Sequence, residues 1–261
     1  MKFCPLFSGS SGNSIFVGEN DTNILVDVGM PGKSIDNELN NLDINPKSID
    51  AIFITHEHSD HIKGVGVLSR KYDIPIYAPS LTWQAMESKL GNIKEKNIKI
   101  IDERYTEVKN LIVENFPIPH DAACPRGYKV HGKNKKACIA TDLGHFSDRV
   151  KEALYDSDII LLESNHDIEM VKFGPYPYQL KRRILSNVGH LSNEDCGKAI
   201  VDVLNGDYKT IYLGHLSKTN NYPELAYETV LGVLKENSID INKDVELRMC
   251  ERDKHSLLLD I

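Results

Sequence analysis

No run of roughly 18 apolar residues occurs in the chain, so no helix of membrane-spanning length is encoded. The opening Met1-Lys2-Phe3-Cys4-Pro5-Leu6 lacks the apolar core of a secretory signal and leads into a Ser/Gly stretch, so the expectation is a cytoplasmic protein without a membrane partner. Cysteine is sparse and unpatterned. Cys4, Cys124, Cys138, Cys196 and Cys250 are odd in number and widely spaced, with no Cys-x-x-Cys pair, which disfavours both a disulfide framework and a thiolate zinc site. They read as reduced thiols in or near the core. Low-complexity tracts and long linkers are absent as well. So is any excess of positive charge: 31 Lys and Arg face 38 Asp and Glu, for a net charge of −7. That balance excludes a non-specific nucleic-acid coat protein, whose affinity comes from clustered cations.

Local charge departs from the average. Lys181-Arg182-Arg183 follows the aromatic Tyr176-Pro177-Tyr178, and Arg126, Lys129, Lys133, Lys135 and Lys136 crowd one hairpin region. Each cluster reads either as a solvated face or as a basic patch beside a site. Aromatics next to a basic run suit stacking on unpaired bases.

The 261 residues, 41% of them hydrophobic, suffice for a large core. Length alone allows two domains, but α/β folds of this size are often one, and a single domain over residues 1–261 is expected. Apolar alternation predicts strands near Lys2–Leu6, Ile15–Val17, Asn23–Asp27, Ala51–Ile54 and Ile76–Ala78, interleaved with helices near Ile35–Leu42, Ile62–Tyr72 and Leu81–Leu90. A similar second half follows. Its strands fall near Leu111–Ile118, Tyr128–His131, Lys136–Thr141, Ile159–Leu162, Thr210–Leu213, Glu246–Cys250 and Ser256–Leu259. Its helices fall near Arg149–Tyr155, Tyr178–Ser186, Asn193–Leu204 and Glu224–Glu236. Ser192-Asn193-Glu194-Asp195 supplies a capping side chain and early acidic charge for the third of these, and Gly206 is expected to stop it.

The most informative segment is Ile54-Thr55-His56-Glu57-His58-Ser59-Asp60-His61, directly after the apolar strand Ala51–Ile54. Imidazole and carboxylate are ligands of borderline divalent cations, and a loop at the end of a strand is open to substrate. His56 and His58 are two residues apart, which suits an irregular loop rather than one face of a helix. Four ligands are too many for one catalytic ion that must keep an open position. The spacing therefore suggests two metals, with His56 and His58 facing one and Asp60 and His61 the other. Further ligand candidates close later strands: His120, Asp142 and His215, with His131 and His145 as rivals of His120.

Asp27 at the end of a strand, His56-x-His58-x-Asp60-His61, His120, Asp142 and His215 together resemble the five sequential motifs of the metallo-β-lactamase-fold hydrolases. The resemblance covers nearly the whole chain and implies an αββα sandwich of two mixed sheets flanked by helices. It implies that His56, His58 and His120 hold one divalent ion and that Asp60, His61 and His215 hold a second. Asp142 would then bridge the two ions and Asp27 would orient the loop from behind. Zinc or manganese fits this ligand set, and iron is chemically acceptable.

Ser8-Gly9-Ser10-Ser11-Gly12-Asn13-Ser14, Leu162-Glu163-Ser164-Asn165-His166-Asp167 and Asn187-Val188-Gly189-His190-Leu191-Ser192-Asn193 narrow the resemblance. They look like the YycJ/WalJ-type branch, related to ribonuclease J and tRNase Z and regarded as DNA exonucleases. The implied function is phosphodiester hydrolysis of nucleic acid, DNA first, by a hydroxide activated between two ions. Asp60, His190 and Glu163 are the catalytic candidates: Asp60 accepts a proton from the water, His190 protonates the leaving oxygen, and Glu163 supports the histidine. Ser10, Ser11 and Asn13, in a loop expected to bind a phosphate, and Asn165 are the substrate-binding candidates. The short stretch from Glu163 to Gly189 leaves no room for an inserted β-CASP domain, and no tRNA-binding arm is evident. Two alternatives share the metal motif: a thioester or lactone hydrolase resembling glyoxalase II, and a non-catalytic metal-binding regulatory protein. Oligomeric state has no signature in the sequence.

Overall fold

β-Branched and aromatic runs separated by Gly, Asn and Pro turns pair into two sheets in the computed structural model, which describes residues 1–241 and 243–261. The first sheet contains β1 (Lys2–Phe7), β2 (Ser14–Glu19), β3 (Thr22–Val26), β4 (Ala51–Phe53), β5 (Ile76–Ala78), β6 (Ile98–Ile100) and β14 (Leu259–Asp260), in the order β14-β1-β2-β3-β4-β5-β6. The second contains β7 (Tyr105–Val108), β8 (Leu111–Pro117), β9 (Arg126–His131), β10 (Lys136–Ala140), β11 (Ile159–Glu163), β12 (Lys209–Gly214) and β13 (Val245–Met249), in the order β13-β12-β11-β10-β9-β8-β7. Each sheet begins as an antiparallel meander and continues in parallel. The change comes at β3–β4 in one, with Val26 opposite Phe53, and at β10–β11 in the other, with Ala140 opposite Leu162.

Parallel strands need crossovers, and the helices supply them on the outer faces. They are α1 (Gly32–Asn41), α2 (Ser59–Ile62), α3 (Val65–Tyr72), α4 (Ser80–Leu90), α5 (Asp148–Tyr155), α6 (Ile168–Phe173), α7 (Tyr178–Ile184), α8 (Asn193–Val203) and α9 (Pro223–Glu236). Three apolar clusters follow from the layering. One lies between the sheets and joins Phe3, Val17, Val26 and Phe53 to Tyr128, Ile139, Leu161 and Tyr212. A second packs Ile35, Leu39, Leu68 and Met86 onto the outer face of the first sheet. A third packs Val150, Leu154, Ile200 and Leu234 onto the outer face of the second. The expected αββα sandwich is thus observed. Tyr128 crosses the central layer, its buried hydroxyl donating to the Ile54 carbonyl at 2.6 Å.

Several boundaries differ from the sequence reading. The helix expected over Ile62–Tyr72 is broken between α2 and α3 at Lys63-Gly64. A side chain at Gly64 would lie 2.2 Å from the Met30 carbonyl oxygen, so the chain passes closely there. Strands β6 and β7 and helix α6 were not anticipated. α8 ends at Val203, before the expected stop at Gly206, which instead turns with φ 92°. The strand expected over Ser256–Leu259 shortens to Leu259–Asp260. Among the described residues no helix is long and apolar enough to cross a membrane.

Candidate metal centre

The polar candidates gather where parallel strands end, the edge at which open α/β sheets bind ligands. Asp27 follows β3, Asp142 follows β10, Glu163 ends β11 and His215 follows β12. After β4 the chain turns through His56. His58 is the N-cap of α2, and Asp60 and His61 lie inside that single turn of helix, where the sequence reading had an irregular loop throughout. Asp27, Asp142 and His215 take left-handed backbone with φ of 62°, 60° and 55°. Such a conformation costs an L-residue about 1–2 kcal/mol and persists only where the surroundings over-determine it.

Four overlapping groups of side chains each bring ligand atoms within 4.8 Å of one another: His56, His58 and His120; His56, His61 and Asp142; Asp60, His61 and His215; and Asp142, Glu163, His190 and His215. His58 Nδ1 lies 3.0 Å from His56 Nε2 and 3.3 Å from His120 Nε2. Asp142 is central, its carboxylate 3.2 Å from His61 Nε2, 3.6 Å from His120 Nε2 and 3.7 Å from His215 Nε2. This donor set suits a divalent cation. Two buried atoms aimed into the cluster, Asp142 Oδ2 and His215 Nε2, have no hydrogen-bond partner, as expected of atoms whose partner is an ion. The cluster therefore fits divalent metal. His131 instead meets Glu114 at 2.8 Å and His145 the Asn187 carbonyl at 2.9 Å, and neither joins a ligand group among the described residues.

Two buried carboxylates set the orientation of these imidazoles from behind. Asp27 Oδ2 accepts from His61 Nδ1 at 2.8 Å and from the Thr55 hydroxyl at 2.8 Å, and its Oδ1 accepts from Thr55 N at 2.9 Å. Glu163, 0% exposed, does more. Its Oε1 accepts from His190 Nδ1 at 2.8 Å and His215 Nδ1 at 2.7 Å, while its Oε2 accepts from the backbone N–H of Leu143 at 2.6 Å and Leu191 at 3.1 Å. With Nδ1 donating, Nε2 of His61 and of His215 faces the cluster, 3.2 Å and 3.7 Å from the Asp142 carboxylate.

Electrostatics follow the same wiring. Burial resists charge on His215, but the Asp142, Asp60 and Glu163 carboxylates outweigh it and push the imidazole up to about 10. Burial would raise Glu163, yet the His190 charge and the hydrogen bonds from both imidazoles hold it at about 2. His190 is raised above the ordinary imidazole value because Glu163 overcomes its desolvation. His56 is lowered by burial and by the neighbouring His61. Asp60, against the penalty of burial, is held below the usual carboxylate range by His61 and His215. A cation entering this cluster replaces protons, so its binding releases them.

A cleft of about 330 Å³ opens onto the cluster and is lined in part by His58, Asp60, His190, Ser10 and Arg183. Ser10 lines it, whereas Ser11 is exposed and does not line it. Asn13 is buried beneath, its Oδ1 accepting from Gly9 N at 3.0 Å and its Nδ2 lying 3.2 Å from His61 Nε2. Asn165 is buried too, with Nδ2 donating to the His215 carbonyl at 2.9 Å. Of the two basic regions, the hairpin is partly paired: Lys129 and Lys136 share Asp156, and Lys135 pairs with Asp158. The other reaches the cleft. Arg182 lies 5.9 Å over the Tyr178 ring, and Arg183 at the cleft lip donates through Nε and Nη2 to Asp121. The sequence reading had Arg183 only as one of three basic residues; nothing local signals that α7 returns beside His120.

The family model of the metallo-β-lactamase superfamily matches residues 8–215. The chain belongs to that superfamily and, within it, to the YycJ/WalJ type. It is 44% identical over 249 residues to exodeoxyribonuclease YycJ of Bacillus anthracis, covering 95% of this chain and 94% of the relative. It is 41% identical to exodeoxyribonuclease WalJ of Streptococcus pneumoniae over 263 residues, covering 100% of this chain and 98% of the relative. The solved metallo-β-lactamase-fold protein YhfI of Bacillus subtilis superposes with a TM-score of 0.71 at 13% identity, covering 99% of this chain and 98% of that one, a likeness of fold.

Proposed function

We propose that the protein is a metal-dependent phosphodiesterase that degrades DNA as an exonuclease, working as one domain in the cytoplasm. The observation that carries this reading is the Glu163 carboxylate shared between His215, a ligand candidate, and His190, which stands beside the cluster. Two divalent ions, zinc or manganese, held by His56, His58 and His120 and by Asp60, His61 and His215 with Asp142 between, would supply Lewis acidity and a nucleophile at neutral pH. The chain's own groups do the rest. Glu163 fixes His190 through Nδ1 and favours its protonated form, so Nε2 can hand a proton to the leaving alkoxide. Asp60 is ionised and accepts the proton of the attacking water. Ser10 and Arg183 line the cleft where the phosphate oxygens would lie, and Ser11, exposed next along the loop, is the further candidate donor. The backbone N–H groups of the Ser/Gly loop add donors to that anion site. Asn13 and Asn165 stiffen its base.

A thioester or lactone hydrolase would use the same ligands; a thiolate leaves with far less need of a proton than an alkoxide does, whereas a lactone also expels an alkoxide and is weighed against by the named relatives alone. A Glu–His pair beside the ligands therefore favours the phosphodiester, as do relatives named as exodeoxyribonucleases that match essentially end to end. The pair also argues against a regulatory protein without turnover. The test is metal-reconstituted protein incubated with end-labelled single- and double-stranded DNA and RNA, with and without a 5′-phosphate, alongside a thioester and nitrocefin. Progressive shortening of DNA from an end is expected. Hydrolysis of the thioester alone, or internal cuts only, would sink the reading.

A further inference from the structure

A second hollow, of about 470 Å³, shares a wall with the metal cleft: the His190 ring lines both. It lies among the loop after Asp142, the turn carrying His190, and α8. Its lining differs from that of the cleft. Phe146 packs one side against the outer core cluster and presents another to the hollow, with Ile168 and Leu185 beside it. Leu185 is 42% exposed, a large apolar side chain standing open at the rim. Polar groups converge from the other side. Asn187 and Ser192 line it, and His166, only 1% exposed, has an Nδ1 with no hydrogen-bond partner. Burial drives the His166 imidazole down to about 4, so the ring is neutral at ordinary pH. An uncharged buried ring nitrogen without a partner is a group that a neutral ligand with a donor or acceptor edge would satisfy.

Charge separates the two chambers. The cluster of ligand candidates, which fits divalent cations, marks the cleft as the anion side; its Arg183 is paired with Asp121. The hollow carries Asp195 and Asp202 against Lys198, whose charge is already paired with Asp195 at 3.1 Å. A phosphate is unwelcome there; an uncharged ring with polar edges is not.

Building on the phosphodiesterase reading, we propose that this hollow is a nucleoside subsite, holding the base of the terminal nucleotide against Phe146 while its phosphate lies in the cleft beyond His190. Stacking on an aromatic ring accepts any base, and His166 and Asn187 meet the base edge or the sugar hydroxyls. His190 then stands on the wall between the base and the phosphate, since its ring lines both chambers.

The test has two arms on the metal-loaded protein. In the first, thymidine and deoxyadenosine, which lack any phosphate, are titrated by calorimetry into the unaltered protein and into Phe146→Ala and Leu185→Asp, each checked for folding by circular dichroism. Binding by the unaltered protein, weakened about tenfold in each variant, is expected, the worth of one stacked base. In the second, kcat/KM for thymidine 5′-(p-nitrophenyl phosphate) is divided by that for methyl p-nitrophenyl phosphate, which has the same leaving group and no base. That ratio should exceed one and fall about tenfold in the variants. Absence of nucleoside binding, equal binding by all three proteins, or a ratio of one overturns the subsite. Phe146-dependent nucleoside binding without hydrolysis of either diester supports the subsite and overturns the phosphodiesterase reading alone.

Discussion

Each hydrogen bond to Glu163 comes from a group at the cleft or just behind it, so one buried carboxylate links a ligand candidate, the proposed proton donor and two loop backbones. Glu163→Gln keeps the volume but replaces one acceptor oxygen with a donor. Its NH2 must then face either the two imidazoles on Oε1 or the Leu143 and Leu191 N–H groups on Oε2, so one pair of donors loses its acceptor and the His190 and His215 rings lose their fixed setting. Metal affinity is expected to fall ~10–100-fold, the usual effect of losing a carboxylate behind a ligating histidine. Diester turnover should fall further because His190 loses its orientation and the charge that favours its protonated form. Elemental analysis after dialysis against buffered metal, paired with kcat at saturating metal, separates the two effects; an unchanged kcat would remove Glu163 from the chemistry. His190→Ala should divide them differently. Metal content should stay the same while DNA hydrolysis drops ~10²–10⁴-fold. A diester with a p-nitrophenolate leaving group should suffer much less, and equal damage to both substrates would exclude the proton-donor role.

At the scale of elements, the approach of the β3 exit to α2 is closer than any side chain allows. A Cβ on Gly29 would lie 1.7 Å from the Asp60 carbonyl oxygen, and Asn13 N donates to that same oxygen at 2.8 Å. Gly29→Ala must therefore push α2 outward with Asp60 and His61 on it. A loss of about 3 kcal/mol or more is expected, together with weaker metal retention, checked by urea unfolding and elemental analysis. Ser192→Ala is the contrasting case. It removes the α8 cap, in which Ser192 Oγ accepts from Asp195 N at 3.1 Å, at a cost of about 1 kcal/mol with metal content unchanged. Elements were legible in the sequence where burial was complete. β4, β10, β11 and β12 are apolar runs buried on both faces, and each was found within a residue or two. β6 and β7 lie at sheet edges and are largely exposed, so their Ile-Lys-Ile and Tyr-Thr-Glu-Val sequences carry no core-facing alternation strong enough to read. The ligand candidates from His56 to His61 were legible because short-range spacing brings them together. The hollow at Phe146 was not, since its walls come from segments joined only by the fold.

For the whole molecule, the main fact is that the cluster straddles the two sheets. His56, His58, Asp60 and His61 leave the first sheet, whereas His120, Asp142 and His215 leave the second. An ion bound by both halves stabilises the folded chain in proportion to its free concentration, about 2.7 kcal/mol at a hundredfold excess over Kd. Calorimetric melting with and without a chelator should thus show a lower transition on metal removal, reversed by added zinc or manganese; identical traces would mean that the ion is not shared between the sheets. The order of synthesis adds one more consequence. His215 follows β12, and β12 hydrogen-bonds both to β11 and to the still later β13. A chain still leaving the ribosome carries its four earliest ligand candidates long before His215, so on the proposed assignment the site is not complete until the final third has been made and seated.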